Sequence, residues 1–168
     1  TTSSLSMATE PGPSPPLHIV LVNPEIAANT GAIGRTCVAV GAKLWLVRPL
    51  GFHLDDRRRR RAGLDYWEHL DWTVVDDPRN VEAALETDRI WLFETGTNRQ
   101  TYTDVTYQVG DALVFGSESK GLPSALLTRH HGRVVTIPVR PEARSLNLSS
   151  CVAIGAYEAM RQFRSTNQ

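Results

Sequence analysis

The sequence predicts an α/β fold, a mostly parallel β-sheet flanked by helices, on three observations. Short aliphatic runs alternate with helix-like segments through three successive units, and a long amphipathic helix closes the chain. The 168 residues are enough for one domain with a real core and too few for two comfortable ones.

Residues 1–16, TTSSLSMATEPGPSPP, are rich in Ser, Thr and Pro and read as a disordered leader, leaving a single domain over 17–168. They lack the charged start and apolar stretch of an export signal. LHIVLV (17–22) reads as a strand, ANTGAIGRTCVAVGA (28–42) as a helix capped by Asn29 or Thr30, and KLWLV (43–47) as a second strand parallel to the first. TVVD (73–76), a helix over 78–86 opened by Pro78, and RIWLF (89–93) repeat the unit. ALVFG (112–116), a helix over 123–128 and VVTIPV (134–139) make the third. In the closing helix, Leu148, Cys151, Val152, Gly155, Ala156, Ala159, Met160 and Phe163 recur at i, i+3, i+4, i+7 spacing as one apolar stripe. Ser150, Ile154, Tyr157, Arg161 and Arg164 fall opposite, with Leu146 just before them. Packing on the sheet alone would leave Ile154 and Tyr157 in water, so a second surface is expected, most simply another subunit.

Composition narrows the class. Hydrophobic residues make up 41% and charged residues 21%, with no run long enough to span a bilayer, so a cytoplasmic protein with no membrane partner is expected. Formal net charge is zero, and any polyanion must be met by a local patch. Cys37 and Cys151 stand far apart and read as reduced core thiols; the five histidines show no metal spacing, so no metal is expected.

Four stretches could carry chemistry. In NPEIAANTGAIGR (23–35) a strand ends and a helix opens, the place where open parallel sheets bind ligands. Arg35, on the side of Gly31 and away from Ile33 and Cys37, could fork onto a phosphate. VFGSESKGLP (114–123) lacks the Lys-Ser/Thr pair of a phosphate loop and the central Ser of a hydrolase elbow. What remains is a loop whose glycines let backbone approach a ligand, with Glu118 as an acceptor. In RSLNLSS (144–150), Ser145, Asn147 and Ser149 could each cap the last helix where one is needed; the surplus, with Arg144, points to function. Ile137, Leu146 and Leu148 read as core. Finally, Arg57, Arg58, Arg59, Arg60 and Arg61 precede Tyr66 and Trp67, a pairing of cations and aromatics that suits RNA. The alternative is a solvated helix face partly neutralised by Asp55 and Asp56.

Together these stretches resemble the SPOUT superfamily of RNA methyltransferases, and within it the small tRNA (cytidine/uridine) wobble-position 2′-O-methyltransferases. The signature segments are NPEIAANTGAIGR, VFGSESKGLP and IPVRPEARSLNLSSCVAIGAYEA, with PLGFHLDDRRRRRAGLDYWEH as the subfamily's additional stretch. The resemblance spans Leu17 to Phe163 and implies a deep C-terminal trefoil knot. It implies S-adenosylmethionine as cofactor, leaving as S-adenosylhomocysteine, held by Phe93, Glu94 and Thr95, by Gly116, Glu118, Gly121 and Leu122, and by Ile137, Leu146, Asn147 and Leu148. It implies tRNA as substrate, met by Arg57 to Arg61, Tyr66 and Tyr157, and a homodimer through the C-terminal helix. Arg35, Ser145 and Asn29 are the implied catalytic residues, Arg35 reaching the partner's cofactor. Two alternatives stay open at this point: ribose methylation at another tRNA or rRNA site, and a non-catalytic knotted RNA-binding dimer.

Overall fold

The computed structural model describes residues 14–54, 65–85, 88–96 and 99–166. Strands β1 (His18–Val22), β2 (Lys43–Val47), β3 (Trp72–Val75), β4 (Ile90–Phe93), β5 (Gln100–Thr101), β6 (Ala112–Phe115) and β7 (Val134–Thr136) form one sheet in the order β3-β2-β1-β6-β4-β7-β5. Every neighbouring pair is parallel: Val20 lies between Trp45 and Val114, and Phe93 lies beside Phe115. The inner strands β1, β2, β4 and β6 are apolar on both sides because both sides are covered, whereas the edge strands β3 and β5 are half-buried or exposed. Ile19, Leu21, Leu44, Leu46, Phe93 and Phe115 face a layer made by α1 (Ala27–Val40) and α4 (Leu148–Thr166). Val20, Val22, Val47, Leu92 and Val114 face the other layer, α2 (Pro78–Ala84) and α3 (Ser124–Arg129).

The predicted stripe of α4 lands as expected: Leu148, Val152, Gly155, Ala156, Ala159 and Phe163 are buried. On its far side Tyr157 is 50% exposed, and Leu146, just before the helix, is 37% exposed. Asp77 caps α2, accepting from the Arg79 N–H at 2.9 Å while Asn80 accepts from the Asp77 N–H at 3.0 Å, with Pro78 at the first turn as read from the sequence.

Several expectations are corrected. α1 begins at Ala27, with Asn29 and Thr30 already inside its first turn, and Ile26 before it offers no side-chain cap. β7 ends at Thr136 rather than residue 139, because Pro138 has no N–H to give a ladder and the chain turns away there. Cys37 is buried, its thiol pushed up to about 12 by burial, but Cys151 is only half-buried. Trp67 is not a platform for bases: it is buried, edge-on to Trp72 at 5.1 Å, and sits where a side chain on Gly34 would go. Arg57 to Arg61 and residues 1–13 of the leader lie outside the described residues. Of Tyr66 only the backbone is described, in a 3-10 turn over Asp65–His69.

Candidate active site

β1, β6, β4 and β7 are neighbours, so the loops leaving their carboxyl ends converge on one edge of the sheet. Between them lies a cleft of about 570 Å³, within the range of small-molecule sites.

Its floor is the loop after β6. Ser117 and Gly121 exchange backbone hydrogen bonds (3.0 and 3.3 Å), folding the loop back on its stem. That closure needs glycine twice. A Cβ on Gly116 would stand 2.1 Å from the Gly121 carbonyl carbon, and Gly121 has φ +68°, the left-handed region open to glycine.

Three carboxylates pin the loops to one another. Glu118 accepts from the backbone N–H groups of Glu25 (2.8 Å) and Ile26 (3.1 Å) and from the Asn29 side-chain amide (3.3 Å). From the loop after the neighbouring strand β6, it thereby takes the N–H at the N-cap of α1, where Ile26 has no side-chain cap of its own. Glu25 returns the contact, accepting from the Ser119 hydroxyl at 2.5 Å and its N–H at 3.3 Å. The Ser119 hydroxyl holds the Glu25 carboxyl below the usual carboxylate range. A group so lowered stabilises the native state above its unfolded value, and that contribution fades as pH falls through the folded one. Glu94, at the end of β4, accepts from the Leu122 N–H at 2.8 Å and from the Thr95 N–H at 3.2 Å.

The third wall is the segment between β7 and α4. A 3-10 turn over Pro141–Ala143 leads to Arg144, whose φ of +61° is a strained state for a residue with a side chain. Asn147 then caps α4, its Oδ1 accepting from the Ser149 N–H at 2.9 Å. Of the three candidate caps, Asn147 is the one used; the Ser145 and Ser149 hydroxyls do not cap the helix. Asn147→Ala should cost about 1 kcal/mol, seen as a fall of about 2–4 °C in Tm, since one cap is lost with no buried contact.

Most of the predicted site residues meet here. Asn29, Phe93, Glu94, Thr95, Gly116, Glu118 and Gly121 line the cleft, as do Ile137, Ser145, Leu146, Asn147 and Leu148. Leu122 does not: its side chain is buried in the opposite layer, and only its N–H serves the site. Arg35 is exposed on α1 outside the cleft lining, whereas Gly31, expected on the same side, is buried. Glu25 and Ser119, which tie the loop after β1 to the loop after β6, are positions that the sequence reading missed.

The lining fits a cofactor with both an apolar ring system and polar ends. Phe93, Ile137, Leu146 and Leu148 supply apolar surface, and the backbone at Gly116 and Gly121 can be approached closely.

Comparison with known proteins agrees with this geometry. Residues 16–157 match the profile of the SpoU rRNA Methylase family. The tRNA (cytidine(34)-2′-O)-methyltransferase of Burkholderia cenocepacia strain HI2424 is 48% identical over 149 residues, covering 86% of this chain and 94% of its own. A solved structure described as giving structural insights into the 2-OH methylation of C/U34 on tRNA superposes with a TM-score of 0.79 at 40% identity, over 89% of this chain and 97% of that one. The SpoU methyltransferase AviRb of Streptomyces viridochromogenes, solved in complex with AdoMet, superposes with a TM-score of 0.77 at 26% identity, over 92% of this chain and 60% of its own.

Proposed function

This chain belongs to the SpoU rRNA Methylase family, and on that footing we propose that it transfers a methyl group from S-adenosylmethionine to the ribose 2′-hydroxyl of nucleotide 34 of tRNA, cytidine or uridine. One observation carries the reading: the 48% identity to a cytidine(34) enzyme spans 94% of that enzyme. The chain is thus similar over nearly the whole length of that methyltransferase.

Phe93, Thr95, Gly116, Gly121, Ile137, Leu146 and Leu148 would hold the cofactor, which supplies a methyl group activated on a sulfonium. The chain's own part is placement and charge. Apolar lining at Phe93 and Leu148 keeps water from the reacting atoms. Asn29, fixed by Glu118, and Ser145 offer polar groups where a ribose hydroxyl can be oriented. Arg35 acts as a donor: it binds the adjacent phosphate and stabilises the developing alkoxide, while a phosphate oxygen or water takes the proton.

Arg35 reaches that place from a second subunit in this reading, the homodimer forming through α4. Support comes from the exposed Leu146 and Tyr157 along one side and from Arg35 itself, exposed and outside its own cleft. Arg57 to Arg61, Tyr66 and Tyr157 are then the RNA-facing groups. The reading includes a trefoil knot made by the segment from β7 into α4, a domain running from residue 17, and a cytoplasmic location, where a tRNA substrate is expected. It is supported by the family likeness and by the way residues 137–148 close the cleft against the loops after β4 and β6.

The test is transfer of labelled methyl from S-adenosylmethionine to tRNA lacking wobble ribose methylation, followed by mapping of the product. A 2′-O-methyl at nucleotide 34 is the expected outcome. A methyl mapped to another position overturns the substrate, and absence of transfer with the cofactor bound overturns the activity.

A further inference from the structure

Among the described residues two cations line the cleft, Lys120, which lies near Glu25, and Arg144. Arg144 lines the cleft and is exposed, and among the described residues its guanidinium has no hydrogen-bond or ion-pair partner. The nearby charges are otherwise engaged. Glu118 and Glu94 are turned onto backbone N–H groups, Glu25 onto Ser119 with Lys120 close enough to lower its carboxyl, and Glu142 lies 4.0 Å from Arg140.

The backbone gives the second observation. Arg144 adopts φ +61°, ψ −60°, which glycine would accept freely and an arginine does not. It is held there by its own N–H to the Pro141 carbonyl (3.2 Å) and by the next N–H, from Ser145, to the Ala143 carbonyl (2.7 Å). The turn therefore fixes where the side chain starts. Strain held by a pinned turn, under an unpaired fork of donors at the rim of a ligand cleft, is the pattern of a binding residue.

We infer that Arg144 binds an oxyanion at the mouth of the cleft, and that this anion is a backbone phosphate of the RNA strand whose ribose enters the site. The inference rests on the RNA reading above. Phosphate is favoured over the cofactor's carboxylate because Arg144 is exposed where it lines the cleft, next to Ser145, and a guanidinium matches phosphate in two parallel hydrogen bonds.

The experiment compares the wild type with Arg144→Gly and Arg144→Lys. Binding of an unmodified tRNA transcript is titrated across a KCl series, S-adenosylmethionine affinity is measured by calorimetry, and Tm is followed for each variant. Arg144→Gly should melt no lower than the wild type, because the strain is relieved, and should keep cofactor affinity within about twofold. Its tRNA affinity should fall about tenfold, and its log–log salt slope should flatten by about 0.7, one contact to a single strand. Arg144→Lys should keep the slope and lose part of the affinity.

A fall in cofactor affinity with tRNA binding intact would assign the anion to the cofactor and overturn the inference. So would an Arg144→Gly that titrates like the wild type, or a wild type that binds no tRNA. A wild type that shows the Arg144-dependent slope but leaves nucleotide 34 unmethylated would instead overturn the proposed substrate and leave this inference standing.

Discussion

Gly116→Ala should abolish cofactor binding and lower stability by about 3 kcal/mol, the upper end of overpacking costs. The added Cβ would stand 2.1 Å from the Gly121 carbonyl carbon and 2.3 Å from the Leu122 nitrogen. Both are backbone, so no rotamer change can relieve the collision. The loop would have to give up the Ser117–Gly121 pair and pull the Leu122 N–H from Glu94. Calorimetry should then detect no binding of S-adenosylmethionine over a range of about 100-fold above the wild-type Kd, and thermal unfolding should shift down by several degrees. Gly132→Ala is the matched control, since a Cβ there meets nothing within 4 Å. Wild-type affinity in Gly116→Ala would mean the cleft does not depend on this closure.

Glu118→Ala should cost about 2–4 kcal/mol and reduce methyl transfer by about 100-fold or more. Removing the carboxylate strips an acceptor from two backbone N–H groups and the Asn29 amide at once. Because Ile26 gives α1 no cap of its own, the first turn loses its anchor, and with it the placement of Asn29 and of Arg35 two turns on. The Ser117–Gly121 closure that shapes the cleft floor is made by backbone and does not use this carboxylate, so S-adenosylmethionine affinity should move less than turnover. Glu118→Gln should fall between, keeping one acceptor oxygen but turning an amide donor toward donors. A kcat close to wild type in Glu118→Ala would separate the strap from catalysis.

The fold was legible because its signals are local. Aliphatic runs such as LHIVLV and ALVFG are short, rich in branched residues and bounded by turn formers, which reads as strands buried on both faces, and the stripe from Leu148 to Phe163 has one period. The end of β7 was legible in principle, through Pro138, but the apolar Ile137 and Val139 on either side of it read as more strand. The start of α1 was not legible at all: capping rules look within a few residues, and the group that meets the N-cap N–H of this helix, Glu118, lies 92 residues further along the chain. For the same reason Glu25 and Ser119 escaped notice, since each has meaning only beside the other. Trp67 misled because an aromatic after an arginine run suits a nucleic-acid surface as well as a core, and only packing against Gly34 and Trp72 separates the two. The cleft residues were named from a resemblance of whole motifs; spacing alone offered glycines, a carboxylate and surplus caps. Arg35 was named from the same motif, yet within the chain it stays exposed on α1 and outside the cleft lining.

The order of the sheet also bears on how the chain acquires its structure. Its central pairing joins residues 18–21 to residues 112–115, and the helix that covers this part of the sheet ends at Thr166. During synthesis β1 and β2 can pair early, but the other edge of β1 stays open until β6 emerges, and the apolar face that α1 shares with α4 stays only partly covered until α4 is complete. Contacts so distant in sequence form slowly, because loop-closure entropy must be met before they stabilise anything. The nascent chain is therefore at its most aggregation-prone late, with nearly all of its strands made and its last helix missing.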